Sequence, residues 1–184
     1  MIASELIKIG SDFLKKNQIK TYQIDSELIL SDLVGRSRED FLINSDMEIN
    51  DTQTKSFEAF ISRRAIKKEP MAYILNKKEF WSIKFKIDKG VLIPRPETEL
   101  IVEKILKYYK NSSPYVLDIG TGSGCIIISL LKELRKSKGV AIDISKKALK
   151  IAKKNSIISN TFKRTKFINA SFMQISNFKF DLIV

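Results

Sequence analysis

No histidine occurs in the 184 residues, and cysteine occurs once, at Cys125. The missing histidine removes the commonest general base and the commonest metal ligand. With one thiol and no imidazole, no zinc site is expected, because such sites take Cys and His in sets. A lone cysteine excludes an internal disulfide and fits a reducing cytoplasm. Long apolar runs are also missing. Strictly apolar stretches are as short as Ile126 to Ile128, against about 20 residues for a membrane span. The start, MIASELIKIGSDFLKK, is a helix pattern broken by charges. It has no basic start, apolar centre or small-residue cleavage site, so no targeting peptide is expected. The expectation is a cytoplasmic chain with no membrane partner.

What is present is the composition of a globular protein: 43% hydrophobic and 29% charged. The length suits one large domain or two small ones. The net charge is +12, and it is unevenly spread. Residues 1–75 carry 11 basic and 12 acidic side chains, residues 76–110 carry 9 and 5, and residues 111–184 carry 13 and 4. This asymmetry suggests two modules. The basic C-terminal half is either a solvated lysine surface or a contact to ribosomal or transfer RNA.

Residues 1–75 read as a small helical bundle. Leu6, Ile9, Phe13 and Leu14 keep helical spacing, as do Leu28, Ile29, Leu33 and Val34, with Gly35 placed to end that helix. Ser37 before Glu39 and Asp40 starts another helix, carrying Phe41 and Leu42. Phe57, Phe60, Ile61 and Ala65 mark a fourth, and Pro70 opens a short fifth. In residues 76–93 the period changes to two. Trp81, Ile83, Phe85 and Ile87 alternate with polar residues, and Asp88-Lys89-Gly90 offers a turn into Val91 to Ile93. This predicts a β-hairpin linker with Trp81 in its core. From residue 94 to 184 helix and strand alternate: a helix striped by Val102, Ile105, Leu106 and Tyr109, a strand at 115–119, a helix at 125–134, a strand at 139–143, a helix at 146–158, a strand at 165–169, and the beginning of another in KFDLIV. Such alternation builds a parallel α/β sheet with crossover helices, Rossmann-like in type. Such sheets continue through further strands, so the chain is expected to be an incomplete fragment.

The stretch VLDIGTGSGCIII, residues 116–128, carries the chemistry. Gly120, Gly122 and Gly124, with Thr121 and Ser123 between them, follow a strand and open a helix. Bare backbone there meets a ligand, and the helix N-terminus favours an anionic group or an acceptor. The spacing is Gly-x-Gly-x-Gly, unlike the dinucleotide fingerprint. Asp118 precedes it, and a carboxylate there repels a pyrophosphate but suits an ammonium. Nineteen residues after Gly124 stands Asp143, at the end of the next strand, where an acid can accept both hydroxyls of a ribose. An amino acid joined to a ribose is S-adenosylmethionine. Taken alone, Asp143 reads equally well as a cap for the helix beginning near Ser145.

Three stretches, VLIPRPETELIVEKIL, VLDIGTGSGCIIISL and AIDISKKALKIAKKN, together resemble the release factor glutamine methyltransferases. EPMAYILNKKEFWSIKFKI is similar to that family's hairpin lead-in. The resemblance covers residues 68–184 by letter and the rest by pattern. It implies a class I methyltransferase domain behind a helical substrate-recognition domain. It implies N5-methylation of the glutamine in the Gly-Gly-Gln motif of peptide chain release factors. By position, Gly120 to Gly124 match the cofactor loop and Asp143 the ribose acid. Where many relatives carry Asp-Trp near the adenine, this chain has Ser171 and Phe172. Phe172 keeps a face for stacking on a purine, whereas Ser171 offers no carboxylate, which predicts weaker cofactor binding. The family's catalytic Asn-Pro-Pro-Tyr would follow Val184, so no catalytic residue is expected within these residues and the chain by itself is expected to be inactive. Because N6-adenine methyltransferases share that motif, a nucleic-acid or tRNA methyltransferase is the rival enzyme reading, and a non-catalytic binding module is the rival of another class.

Other residues leave two readings open. Arg95, Glu97 and Glu99 either face the site or form the first turn of a helix. Lys146, Lys147, Lys150, Lys153 and Lys154 form a solvated face or an RNA contact. Cys125 has no base near it in sequence and reads as a small buried residue.

Overall fold

The computed structural model describes residues 1–175 and 179–184, without the side chain of Leu42. It forms two compact units, Met1–Leu75 and Asn76–Val184.

The first unit is all helical: α1 (Ala3–Lys16), α2 (Tyr22–Val34), α3 (Arg38–Ile43), α4 (Asp51–Ile66) and α5 (Met71–Ile74). Gly35, in the left-handed region at φ 72°, stops α2. Capping boxes start α3 (Ser37 with Asp40) and α4 (Asn50 with Gln53). Leu6, Leu14, Ile29, Leu30, Phe57, Ile61 and Ala65 form the core. The expected α1 stripe needs correction. Ile9 and Phe13 are 54% and 40% exposed, and the inner face is made by Leu6, Gly10, Ser11 and Leu14. The reason is close approach: a Cβ on Gly10 would stand 2.6 Å from Phe57 Cζ. A small residue does what a large apolar one could not. Leu42, expected beside Phe41, has its side chain outside the described residues.

Charge is also buried in this unit. Asp25, 4% exposed, accepts from Arg64 Nε at 2.7 Å and from the Thr21 hydroxyl at 2.9 Å. Arg64 also donates from Nη1 to the Glu69 carbonyl. Removing one member of a buried pair strands the other charge without its counter-ion. Arg64→Ala is therefore expected to destabilise the unit by about 3 kcal/mol, read as a lower urea midpoint. An unchanged midpoint would show that the Thr21 hydroxyl alone satisfies Asp25.

The second unit begins with a hairpin, β1 (Lys77–Phe80) and β2 (Ile83–Lys86), paired antiparallel. Here the structure corrects the sequence reading. The turn is Trp81-Ser82, with φ 51° and 54°, and Val91–Ile93 is not a strand. A two-residue turn with both φ positive normally takes Asn-Gly or a similar pair, so Trp-Ser carried no turn signal. Trp81 is half-buried at that turn and does not belong to the hairpin core, which is Phe80, Ile83 and Phe85. The turn is pinned from outside. The Trp81 backbone N–H donates to Glu99 Oε1 at 2.9 Å, and its indole N–H donates to Glu133 Oε1 at 3.1 Å.

A single 3-10 turn, Pro96–Thr98, leads into α6 (Glu99–Tyr109). Strand and helix then alternate: β3 (Tyr115–Ile119), α7 (Cys125–Glu133), β4 (Lys138–Asp143), α8 (Lys146–Ile158), β5 (Thr165–Asn169) and β6 (Leu182–Ile183). All pairs in the sheet are parallel, in the order β5-β4-β3-β6. The central strands are apolar on both faces, as crossover helices require; Val116, Val140 and Ala141 are essentially fully buried. The chain steps from β3 to β4 to β5, then returns to place β6 on the far side of β3. That reversal is the switch point at which open α/β sheets bind ligands, beyond the carboxyl ends of their strands.

Candidate functional site

The carboxyl ends of β3 and β4 carry the glycine turn and Asp143. The register pairs Ile119 with Ile142, so the two segments emerge side by side. The turn is held by backbone bonds. Gly120 and Thr121 N–H both donate to the Ile142 carbonyl at 2.9 Å, and Gly124 N–H donates to the Thr121 carbonyl at 2.8 Å. Two of its glycines are required for different reasons. Gly120 has φ 71° and nothing within 4 Å of a would-be Cβ, so the space beside it is open to a ligand. Gly124 has φ 81°, and a Cβ there would lie 2.8 Å from Ile128 Cδ1, so it serves the packing of α7.

Asp143 is aimed by two backbone donors. Gly122 N–H donates to Oδ2 at 3.0 Å and Ser145 N–H to Oδ1 at 2.8 Å. Each carboxylate oxygen keeps acceptor capacity on its other side. The helix cap proper is Ser145, whose hydroxyl accepts from Ala148 N–H. The two readings of Asp143 thus coexist: one bond serves the helix entry and another ties the acid to the glycine turn. Asn169, at the end of β5, donates to the Asp143 and Ile144 carbonyls and steadies the same corner.

Together these residues line a cleft of about 340 Å³, formed by Ile119, Gly120, Ile142, Asp143, Ile144, Ala170, Ser171 and Phe172. Phe172 is 61% exposed and offers a free ring face. Ser171 caps the short 3-10 turn Phe172–Gln174, its hydroxyl oxygen accepting from Met173 N–H at 3.3 Å. Thr121 and Ser123 are buried at 5% and 2%, and they shape the turn from within.

Asp118 stands differently from the sequence expectation of an ammonium partner. It is 3% exposed and does not line the cleft. Its Oδ2 accepts from the Thr121 hydroxyl at 2.7 Å. Burial pushes its carboxyl up from 3.8 to about 6, against the pull of the Thr121 hydroxyl and the Ile127 backbone N–H, with nearby Asp143 adding to the rise. Asp118 braces the turn from below. Cys125 is likewise no nucleophile: burial raises its thiol to about 11, so the thiolate is scarce at neutral pH. Among the undecided residues, Glu99 holds the hairpin turn, and neither Arg95 nor Glu97 lines the cleft. The five lysines of α8 are all exposed, whereas the same helix buries Ala148, Leu149, Ile151, Ala152 and Asn155. No His/Cys/Asp/Glu cluster suited to a metal occurs among the described residues, and no described helix is long and apolar enough to cross a membrane.

One residue of this neighbourhood gave only a faint signal in the sequence. Asn155 is 1% exposed and touches the loop through the Ser123 carbonyl. Its trace was a lone amide three residues beyond Ala152 on the inner stripe of a helix, where apolar side chains are the rule.

The raised carboxyl of Asp118 has a sign that can be checked. The unfolded chain releases that proton near 3.8 and the folded one near 6. The stability gained from holding the proton is complete below the lower value and is lost as pH rises through the upper one. In Asp118→Asn this slope is expected to vanish. Relative to the variant, the natural chain should lose up to about 3 kcal/mol between pH 4 and 7, measured by urea unfolding at each pH. Parallel pH profiles for the two proteins would refute the burial effect.

Comparison with known proteins agrees with this arrangement. The family model described as the PrmC N-terminal domain matches residues 5–75, and one described as a methyltransferase domain matches residues 110–184. The chain is 40% identical over 185 residues to the release factor glutamine methyltransferase of Leptospira interrogans, covering 97% of this chain and 64% of that protein. It is 36% identical over 176 residues to the protein of the same name from Fusobacterium nucleatum, covering 94% and 49%. The chain thus spans between about half and two thirds of the length of these relatives. Among solved structures, the complex of aTrm5 and tRNALeu is similar at a TM-score of 0.50 and 20% identity, over 58% of this chain and 31% of that one, a likeness of fold alone.

Proposed function

The chain belongs to the release factor glutamine methyltransferase family, and from that premise we propose that it binds S-adenosylmethionine in the cleft beyond β3 and β4 and serves methylation of a glutamine side-chain amide in peptide chain release factors. The observation that carries the cofactor reading is Asp143. Both its oxygens are already oriented by backbone N–H groups, and it faces the same cleft as the open side of Gly120 and the free ring of Phe172. A diol needs two acceptors held at fixed separation, and a purine needs an exposed aromatic face. Both are present in one cleft.

When bound, S-adenosylmethionine would supply a methyl group activated by its sulfonium sulfur, which the amide nitrogen would take as S-adenosylhomocysteine leaves, one N–H proton passing to water. The described residues do the binding and aiming. Asp143 would hold the ribose hydroxyls, the turn at Gly120–Gly124 would hold the amino-acid end through its backbone, and the ring of Phe172 would cover the adenine. An amide nitrogen is a weak nucleophile, so orientation has to supply much of the rate, worth about 7–11 kcal/mol in well-aligned systems. The glutamine of the Gly-Gly-Gln motif is the proposed acceptor, and the helical unit the proposed recognition module for the release factor. Ser171 gives no charged acceptor to the adenine amino group, so binding is expected to lean on Asp143.

Asp143→Ala tests the cofactor site. Each lost bond to a charged acceptor costs about 1.5–3 kcal/mol, so calorimetry should show S-adenosylhomocysteine binding at least about tenfold weaker. Equal affinity would remove Asp143 from the site. The acceptor is tested with labelled S-adenosylmethionine, a release factor and the longest natural chain that contains these residues. Label is expected on a glutamine side chain, while label appearing only in nucleic acid would overturn the acceptor assignment.

A further inference from the structure

The side chain of Asn155 makes three hydrogen bonds, all to backbone. Oδ1 accepts from Lys86 N–H at 2.7 Å. Nδ2 donates to the Lys86 carbonyl at 3.0 Å and to the Ser123 carbonyl at 2.9 Å. Lys86 is the last residue of β2, and Asn155 meets both of its outward backbone groups as a neighbouring strand would. Ser123 lies in the cofactor turn. One buried amide therefore joins the hairpin edge to the glycine turn.

The bond to Ser123 matters because of what lies on the other side of that peptide. The Ser123 carbonyl and the Gly124 N–H belong to one planar unit. The carbonyl is held by Asn155, and the N–H is held by the Thr121 carbonyl at 2.8 Å. With both ends tied, the peptide cannot rotate, and Gly124 stays at its φ of 81°. The direction of the first free N–H groups of α7 follows from that angle. The 121–122 peptide is fixed separately, through Gly122 N–H on Asp143. Without Asn155 the 123–124 peptide keeps one tie, and the N–H and carbonyl of Lys86 lose this partner.

We infer that Asn155 is a positioning residue that couples the β1–β2 hairpin to the cofactor turn, so that occupancy of the cleft tightens the hairpin edge at Lys86. The hairpin does not line the cleft, and this amide is the direct hydrogen-bonded link between Lys86 and the cofactor turn. The inference rests on the cofactor reading above.

The test is amide hydrogen exchange with and without S-adenosylhomocysteine, beside calorimetry. In the natural chain the ligand is expected to slow exchange at Lys86 by several-fold. In Asn155→Ala that slowing should disappear and affinity should fall by about tenfold, as expected for loss of one pre-ordered bond. Asn155→Asp keeps the acceptor for Lys86 N–H and loses both donors, so it should preserve basal protection of Lys86 while weakening the ligand as much as Ala. No ligand-dependent slowing at Lys86 in the natural chain would overturn the coupling, even if every variant failed to fold. Equal affinity of natural and folded variant chains would overturn it as well. If the natural chain bound no S-adenosylhomocysteine at all, the cofactor reading would fall first, and this inference with it.

Discussion

The Ile142 carbonyl accepts from Gly120 and Thr121 N–H together, and the residue after it, Asp143, accepts from Gly122 N–H. This short seam between the ends of β3 and β4 is where the proposed cofactor site is built. It exists because Ile119 pairs with Ile142 and not with a neighbour. A one-residue slip would turn every side chain of β3 to the opposite face. It would bring the apolar Ile142 side chain to the turn in place of Asp143. The register is enforced by burial, since β3 and β4 carry Val116, Leu117, Val140 and Ala141 into the interior. The hydrophobic core therefore sets the accuracy of the polar site.

Rigidity is layered around that seam. Asp118 braces the turn from inside through the Thr121 hydroxyl. Asn155 braces it from the side through the Ser123 carbonyl. Asn169 steadies the carbonyls of Asp143 and Ile144. A binding turn made largely of glycine has much conformational freedom to lose. Fixing it in advance lowers the entropy a ligand would otherwise forfeit on binding. The buried side chains that brace the seam, Asp118 and Asn155, have hydrogen-bond partners, so neither carries the cost of an unmade bond.

Beyond the seam, α7 owes its lower end to a different device. Arg164 donates to the carbonyls of Leu131, Leu134 and Ser137, satisfying groups that the helix end leaves open. A cation at a helix C-terminus also complements its dipole. Burial lowers the affinity of Arg164 for its proton, yet guanidinium remains charged at any ordinary pH. The charge surplus of the second unit is thus not all solvated surface, because at least this residue is structural.

Sequence by itself determined the kinds of elements and where the glycine turn and the acid after the next strand fall. The alternation after residue 94, the glycine turn after β3 and the acid after β4 are local patterns, and periodicity and turn chemistry read them directly. The hairpin turn escaped, since Trp81 and Ser82 take positive φ without the residues that favour it, held there by Glu99 and Glu133 from other elements. The α1 face escaped as well, because the space beside Phe57 admits only a glycine at position 10. Tertiary structure alone decided that Asp118 looks inward and Asp143 into the cleft, where sequence placed both against the ligand. It alone brought Asn155 to Ser123 and Lys86, 32 and 69 residues away along the chain. Hydrogen bonds to buried carbonyls depend on where distant backbone runs, and no local pattern of side chains encodes that position.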